Sequence, residues 1–327
     1  MPISRRTLAQ ATVALPFVGA SAAGRAQSAF ELVKVVTGFP PGGTSDTICR
    51  RVAAKLAPGY GKTVAVENRT GAGGQLAVQS MRQSPNDGTV ILQTPMSMLG
   101  IYPHIYKKLP YDPVADVVPT SLGAVFDFGF AVGPAVPASV KSMDEFLAWC
   151  KANPSQANFG SPGAGAMPHF IGALAAKARD VDIKHVPYRG TQPAILEMIG
   201  GQIPAVSGPV GEFTQHVVAG KARLLATTGA QRSKFAPNTP TLVEQGFKDM
   251  VFGEWFGFFL PANASPEVVQ RANAALRGAL AERETIEGLE TMGLEAKSST
   301  PAELAAMLKA DFEKWGPLVK AVGFTAD

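Results

Sequence analysis

Two glycine-rich turns constrain this chain more than any other feature. One is Phe39-Pro40-Pro41-Gly42-Gly43-Thr44-Ser45-Asp46; the other is Gly160-Ser161-Pro162-Gly163-Ala164-Gly165-Ala166. Each stands between a short strand pattern and a helical pattern. The β-branched run Leu32–Thr37 leads into the first, and a helix from about Ser45 to Leu56 leaves it, stopped by Pro58-Gly59. Asn158-Phe159-Gly160 leads into the second, and a helix from about Met167 to Lys177 leaves it. Strand, tight turn and helix in that order are the unit of α/β folds.

The same alternation continues along the chain. Thr63–Glu67, Thr89–Gln93, Ile183–Pro187, Ile203–Ser207 and Arg223–Thr228 read as further strands. Helices between the later strands start near Thr191 and Val210. Ser142-Met143-Asp144-Glu145 is a capping box that opens a helix to about Lys151. Ser265-Pro266-Glu267 and Thr300-Pro301-Ala302-Glu303 set an N-cap before a proline at the first helical position. Two apolar stretches, Val125–Val132 and Glu254–Leu260, read either as crossovers between lobes or as ordinary core strands. No internal repeat is evident.

The first segment belongs outside the fold. Ser4-Arg5-Arg6 precedes an apolar run of 16 residues, Leu8–Ala23, and Gly24-Arg25-Ala26 follows. The run is shorter than the ~20 residues a membrane-spanning helix needs. It resembles a twin-arginine export signal cleaved after Ala26, which predicts a periplasmic protein. Residues 1–26 hold three arginines and no acid, so the formal charge of +4 falls to +1 without them. The remaining chain shows no basic stripe, and no nucleic-acid partner is expected. No later apolar run approaches the ~18 residues of a membrane span. Cys49 and Cys150 would meet an oxidising compartment. A bridge between mobile lobes would oppose their movement, so two buried thiols are expected.

Catalytic and metal signatures are not apparent. His104, His169, His185 and His216 stand singly, without zinc spacing. There is no Gly-x-Ser-x-Gly elbow. Gly42-Gly43-Thr44 lacks a P-loop lysine, and Leu76 occupies the last glycine position of a dinucleotide fingerprint at Gly71-Ala72-Gly73-Gly74. No enzyme activity, metal or cofactor is expected. What the two turns offer is anion binding. The first amides of a helix lack intrahelical partners and sit at the positive end of the dipole. A glycine-rich loop in front of them makes a seat for a carboxylate. Read alone, each turn could equally be an ordinary βα connection.

At the level of longer motifs the chain resembles the substrate-binding proteins of tripartite tricarboxylate transporters, the Bug family. The resemblance is carried by the two turns, with His169 after the second. It is carried also by Val66-Glu67-Asn68-Arg69-Thr70-Gly71-Ala72-Gly73-Gly74, Pro85-Asn86-Asp87-Gly88, Leu109-Pro110-Tyr111-Asp112-Pro113 and His185-Val186-Pro187-Tyr188-Arg189-Gly190. Pro240–Gly246, Trp255-Phe256-Gly257 and Lys314-Trp315 complete it, in family order.

The resemblance implies an α/β, two-lobed periplasmic binding protein fold of type II-like form with two crossover strands. Lobe one would be 27–126 plus 254–327, and lobe two 127–253. It implies capture of a small organic acid, a mono- or dicarboxylate, by a monomer that delivers it to the membrane subunits of a secondary transporter. A sensor partner of a membrane kinase would need the same pocket. An exported enzyme on the same scaffold is disfavoured by the missing signatures.

The carboxylate would lie between Gly42, Gly43 and Thr44, backed by Asp46, and Ser161, Gly163, Gly165 and Ala166. Phe39, Ser97, Phe126, Tyr188 and Pro209 would meet the ligand's far end, with Asp127 near the crossover. The chain departs from the family at Ala166, where serine is frequent, and at Ser207-Gly208-Pro209-Val210, which carries no charge before Glu212. An aromatic or short aliphatic acid is therefore expected over an amino acid.

Overall fold

The computed structural model describes residues 29–325, and segment 1–26, expected to be an export signal, lies outside them. The first part of the chain runs β1 (Phe30–Thr37), α1 (Thr44–Leu56), β2 (Gly61–Asn68), α2 (Gln75–Gln79), β3 (Val90–Pro95) and α3 (Met96–Gly100). A long strand, β4 (Val117–Val132), leads into α4 (Met143–Ala152), β5 (Asn158–Ser161), α5 (Met167–Ala178), β6 (Lys184–Pro187) and α6 (Thr191–Ile199). Then come β7 (Ala205–Pro209), α7 (Val210–Val218) and β8 (Arg223–Thr227). The chain closes with β9 (Gly253–Pro261), α8 (Pro266–Ala281), α9 (Arg283–Glu290), β10 (Glu295–Ala296) and α10 (Pro301–Val322).

The strands pair in the order β2-β1-β3-β9-β4-β7-β5-β6, with β8 and β10 also on β4. β1, β2 and β3 are parallel, and β9 runs antiparallel to both β3 and β4. β4 is the element that organises the molecule. Its residues 117–127 pair with β9, while Phe128–Val132 pair with β7 and β8. One strand thus serves two half-sheets. The chain leaves the second half after β8 and re-enters the first at β9. β5 lies parallel to β6 and β7 in the second half.

Interior strands explain their own composition. All six residues of β3 are buried, as are all of β9 after Gly253. Strands covered on both faces carry near-continuous apolar runs rather than alternation. Helix starts follow local chemistry. Ser142 with Glu145 and Thr300 with Glu303 form complete capping boxes, and the Ser265 side chain accepts from the Val268 amide. One strand starts later than expected. β7 begins at Ala205 rather than Ile203, because Pro204 has no amide to give a ladder. Cys49 and Cys150 are buried free thiols, as expected, and burial pushes the Cys150 thiol up to about 12.

Candidate functional site

The turn after β1 is braced from behind by Asp46. Its carboxylate accepts from the Gly42 amide at 3.0 Å, from Asn68 Nδ2 at 2.9 Å and from Arg50 Nε at 2.8 Å. Asn68 Nδ2 also donates to the Phe39 carbonyl at 2.9 Å. Burial alone would push this carboxyl up, but Arg50, the Gly42 amide and Asn68 together hold it below the usual range. Gly42 has φ +88°, a conformation that favours glycine. Asp46 therefore shapes the turn.

The amide at the head of α1 meets a carboxylate from the far half of the chain. Glu212, in the first turn of α7, accepts from Thr44 N at 3.1 Å and from Thr44 Oγ1 at 3.0 Å. Gln192 Nε2 donates to its other oxygen at 3.0 Å. Glu212 is only 7% exposed. Burial raises its carboxyl above the usual range, against the lowering effect of the Thr44 and Gln192 donors. The seat expected for a carboxylate thus holds one, supplied by the protein.

The second turn is held by a histidine pair. Ser161 Oγ lies 2.7 Å from His185 Nε2, and the Gly165 amide donates to His169 Nδ1 at 3.1 Å. The two imidazoles stack with centroids 3.9 Å apart. Burial lowers His169 to about 4 and His185 to about 3, so both are neutral near pH 7. At the head of α5, the Met167 amide donates to Ser97 Oγ at 3.4 Å. Ser97 in turn donates its hydroxyl to Glu254 Oε2 at 2.6 Å and its amide to Oε1 at 3.0 Å. Burial raises Glu254 to about 8, with Asp311 adding to the rise and Ser97 opposing it.

Between these groups lies one cleft. Of the residues singled out in the sequence, Phe39, Gly43, Thr44 and Ser97 line it from the first half-sheet and its helices. Phe126 on β4, Ala166 and Pro209 line it as well. Gly42, Asp46, Ser161, Gly163 and Gly165 do not line it; they stand within or behind the two turns. Tyr188 turns its hydroxyl to Glu197 Oε2 at 2.5 Å. Asp127 lines a different depression, shared with Arg232, Lys234 and Glu295.

Sequence reading missed part of the wall. Phe128, Phe256 and Met98 add apolar surface, and Thr191 and Gln192 bring in the head of α6. Two carboxyl groups, Glu212 and Glu254, also line the cleft. The sequence reading placed neither of them in the cleft wall. The signal for Glu254 was present: it is an acid at the start of an apolar run, and it is 4% exposed. Among the described residues, no group of three or more His, Cys, Asp or Glu is placed to hold a metal ion.

Comparison with known proteins gives this geometry a family. The family model for the tripartite tricarboxylate transporter family receptor matches residues 48–324. The chain belongs to that receptor family. Among its relatives, BugT of Bordetella pertussis is 27% identical over 292 residues, covering 89% of each chain. The structure of the periplasmic binding protein BugD superposes with a TM-score of 0.84 at 27% identity, covering 90% of this chain and 98% of that one. MatC of Rhodopseudomonas palustris, solved with bound malate, gives 0.82 at 25% identity, over 88% and 98%. The architecture of this receptor is thus the periplasmic binding protein α/β fold, and the periplasm is the location its family implies.

Proposed function

We propose that this receptor captures a small organic carboxylate between two lobes and hands it to the membrane subunits of a tripartite transporter. The lobes are residues 27–126 plus 254–327, and residues 127–253. The observation that carries the reading is the Thr44 seat, whose amide and hydroxyl bind the carboxylate of Glu212. The head of α6 reaches the same cleft through Thr191 and Gln192, and its amides can receive a ligand carboxylate. The malate in MatC is a carboxylate held on the same fold. Phe39, Ser97, Phe126 and Pro209 meet the ligand body. Gly42, Asp46, Ser161, Gly163 and Gly165 act by holding the turns.

Arg5, Arg6 and the apolar run after them direct export by the twin-arginine route, with cleavage after Ala26. The mature protein works as a monomer, without catalysis or cofactor. Thermal unfolding against a panel of organic acids tests the central step. A ligand that binds only the folded state adds ~2.7 kcal/mol at a hundred times its dissociation constant, a shift of several degrees. A panel of a few dozen mono- and dicarboxylates that leaves the melting temperature unmoved would refute carboxylate capture.

A further inference from the structure

We propose that Glu212 and Glu254 make the cleft selective for a ring-bearing carboxylic acid that also carries a hydrogen-bond-donating nitrogen, over a plain mono- or dicarboxylate. The inference rests on the carboxylate-capture reading and names the class of acid.

The walls set the shape of the ligand. Phe39, Met98, Phe126, Phe128 and Phe256 face the cleft. Phe126 stands 4.6 Å from Phe256 and 5.4 Å from Phe128, centroid to centroid. Such surfaces bury a flat apolar ring better than an extended polar chain.

The two glutamates set the chemistry of its ends. Both are fixed by donors from the chain itself: Thr44 and Gln192 hold Glu212, and Ser97 holds Glu254. A carboxylate offers about four acceptor sites, so Glu212 keeps capacity for one more donor, and Glu254, whose burial favours the protonated form, becomes such an acceptor when a cation enters the cleft and its proton leaves to solvent. A second carboxylate on the ligand would instead meet the like charge of Glu212 in a largely apolar cleft. An amino group or an ammonium turns both glutamates into partners. Glu212 also occupies the Thr44 seat, so the ligand's own carboxylate is left to the amides at the head of α6.

The test is calorimetric titration of the full chain with four probes of one shape: benzoate, terephthalate, para-aminobenzoate and para-(aminomethyl)benzoate. A charge-assisted hydrogen bond corresponds to about tenfold or more in affinity. The better of the two nitrogen-bearing probes is expected to bind at least about tenfold tighter than benzoate and terephthalate. In Glu212→Gln and Glu254→Gln that ratio is expected to fall by about tenfold, since the amide isostere removes the charge of Glu212 and, at Glu254, the carboxyl that would ionise beside a bound ammonium. Benzoate or terephthalate binding as tightly as both nitrogen-bearing probes in the wild-type chain would overturn the proposal, whether or not the variants fold. An unchanged ratio in both folded variants would overturn it too. Binding of none of the four, alongside an aliphatic acid that does bind, would overturn the ring-bearing class and leave carboxylate capture standing. No organic acid binding at all would overturn the reading beneath it.

Discussion

Glu212 accepts two hydrogen bonds from Thr44, at 3.1 Å from the amide and 3.0 Å from the hydroxyl, and so ties the first turn of α7 to the first turn of α1. The two residues lie 168 positions apart in sequence. The amides at the head of α1 carry partial positive charge, and a carboxylate is their natural counterpart. The contact is a cross-cleft latch built from the same chemistry that would hold a ligand.

Removing the charge from this latch should loosen the protein. Hydrogen bonds to a charged group contribute about 1.5–3 kcal/mol, and Glu212→Gln keeps only the neutral part. The variant is expected to show a larger radius of gyration in solution scattering without ligand, and a melting temperature lower by a few degrees. An unchanged radius would mean that the latch does not hold the halves together.

Gly211, beside the latch, marks the closest approach of α7 to the segment after α9. A Cβ built at Gly211 would overlap the carbonyl of Met292, and Gly293 lies against the Gly211 amide. Gly211→Ala must therefore push α7 away. It is expected to weaken binding of whichever acid the panel identifies by about tenfold or more, with an expanded form in scattering. Wild-type affinity in this variant would show that α7 need not approach so closely for binding.

Glu254 gives stability a defined pH dependence. Its folded value of about 8 lies above the ordinary 4.5, because burial favours the neutral form. The folded chain then holds a proton that the unfolded chain has released. This contribution is complete below about 4.5 and is lost as pH rises through about 8. Wild-type protein is expected to lose roughly a few kcal/mol relative to Glu254→Gln across that range. Parallel melting curves of the two proteins from acid to mildly alkaline pH would show that the carboxyl is ordinary.

Much of the fold was legible because its signals are local. Ser142 reaches Glu145 and Thr300 reaches Glu303 within one helical turn, so each cap could be read from four residues. The apolar runs of β1 and β9 follow from burial on the sheet. The two turns were legible from their glycines. What was not legible depends on long-range pairing. That Glu212 would meet Thr44 follows from the path of β4 through both half-sheets, and that Glu254 would meet Ser97 follows from the antiparallel register of β9 against β3. No local pattern encodes it. Asp127 and Tyr188 show the converse: they sit near the cleft in sequence, yet one faces another depression and the other pairs with Glu197.

The proposed export signal is tested at residues of the leading segment. Replacing Arg5 and Arg6 together with lysine is expected to leave full-length precursor in the cytoplasm, while the unaltered protein yields a periplasmic form starting near Gln27. Fractionation with N-terminal sequencing reads both. Normal processing of the variant would rule out the twin-arginine route.

Helix-head amides are proposed to recognise a ligand carboxylate. Titration of the tightest-binding acid from the panel, side by side with its methyl ester, tests this most directly. The ester keeps the body and loses the charge. The acid is expected to bind, and the ester to bind at least about a hundredfold more weakly, the loss of one or two charge-assisted hydrogen bonds. An ester that binds as tightly as its acid would contradict it.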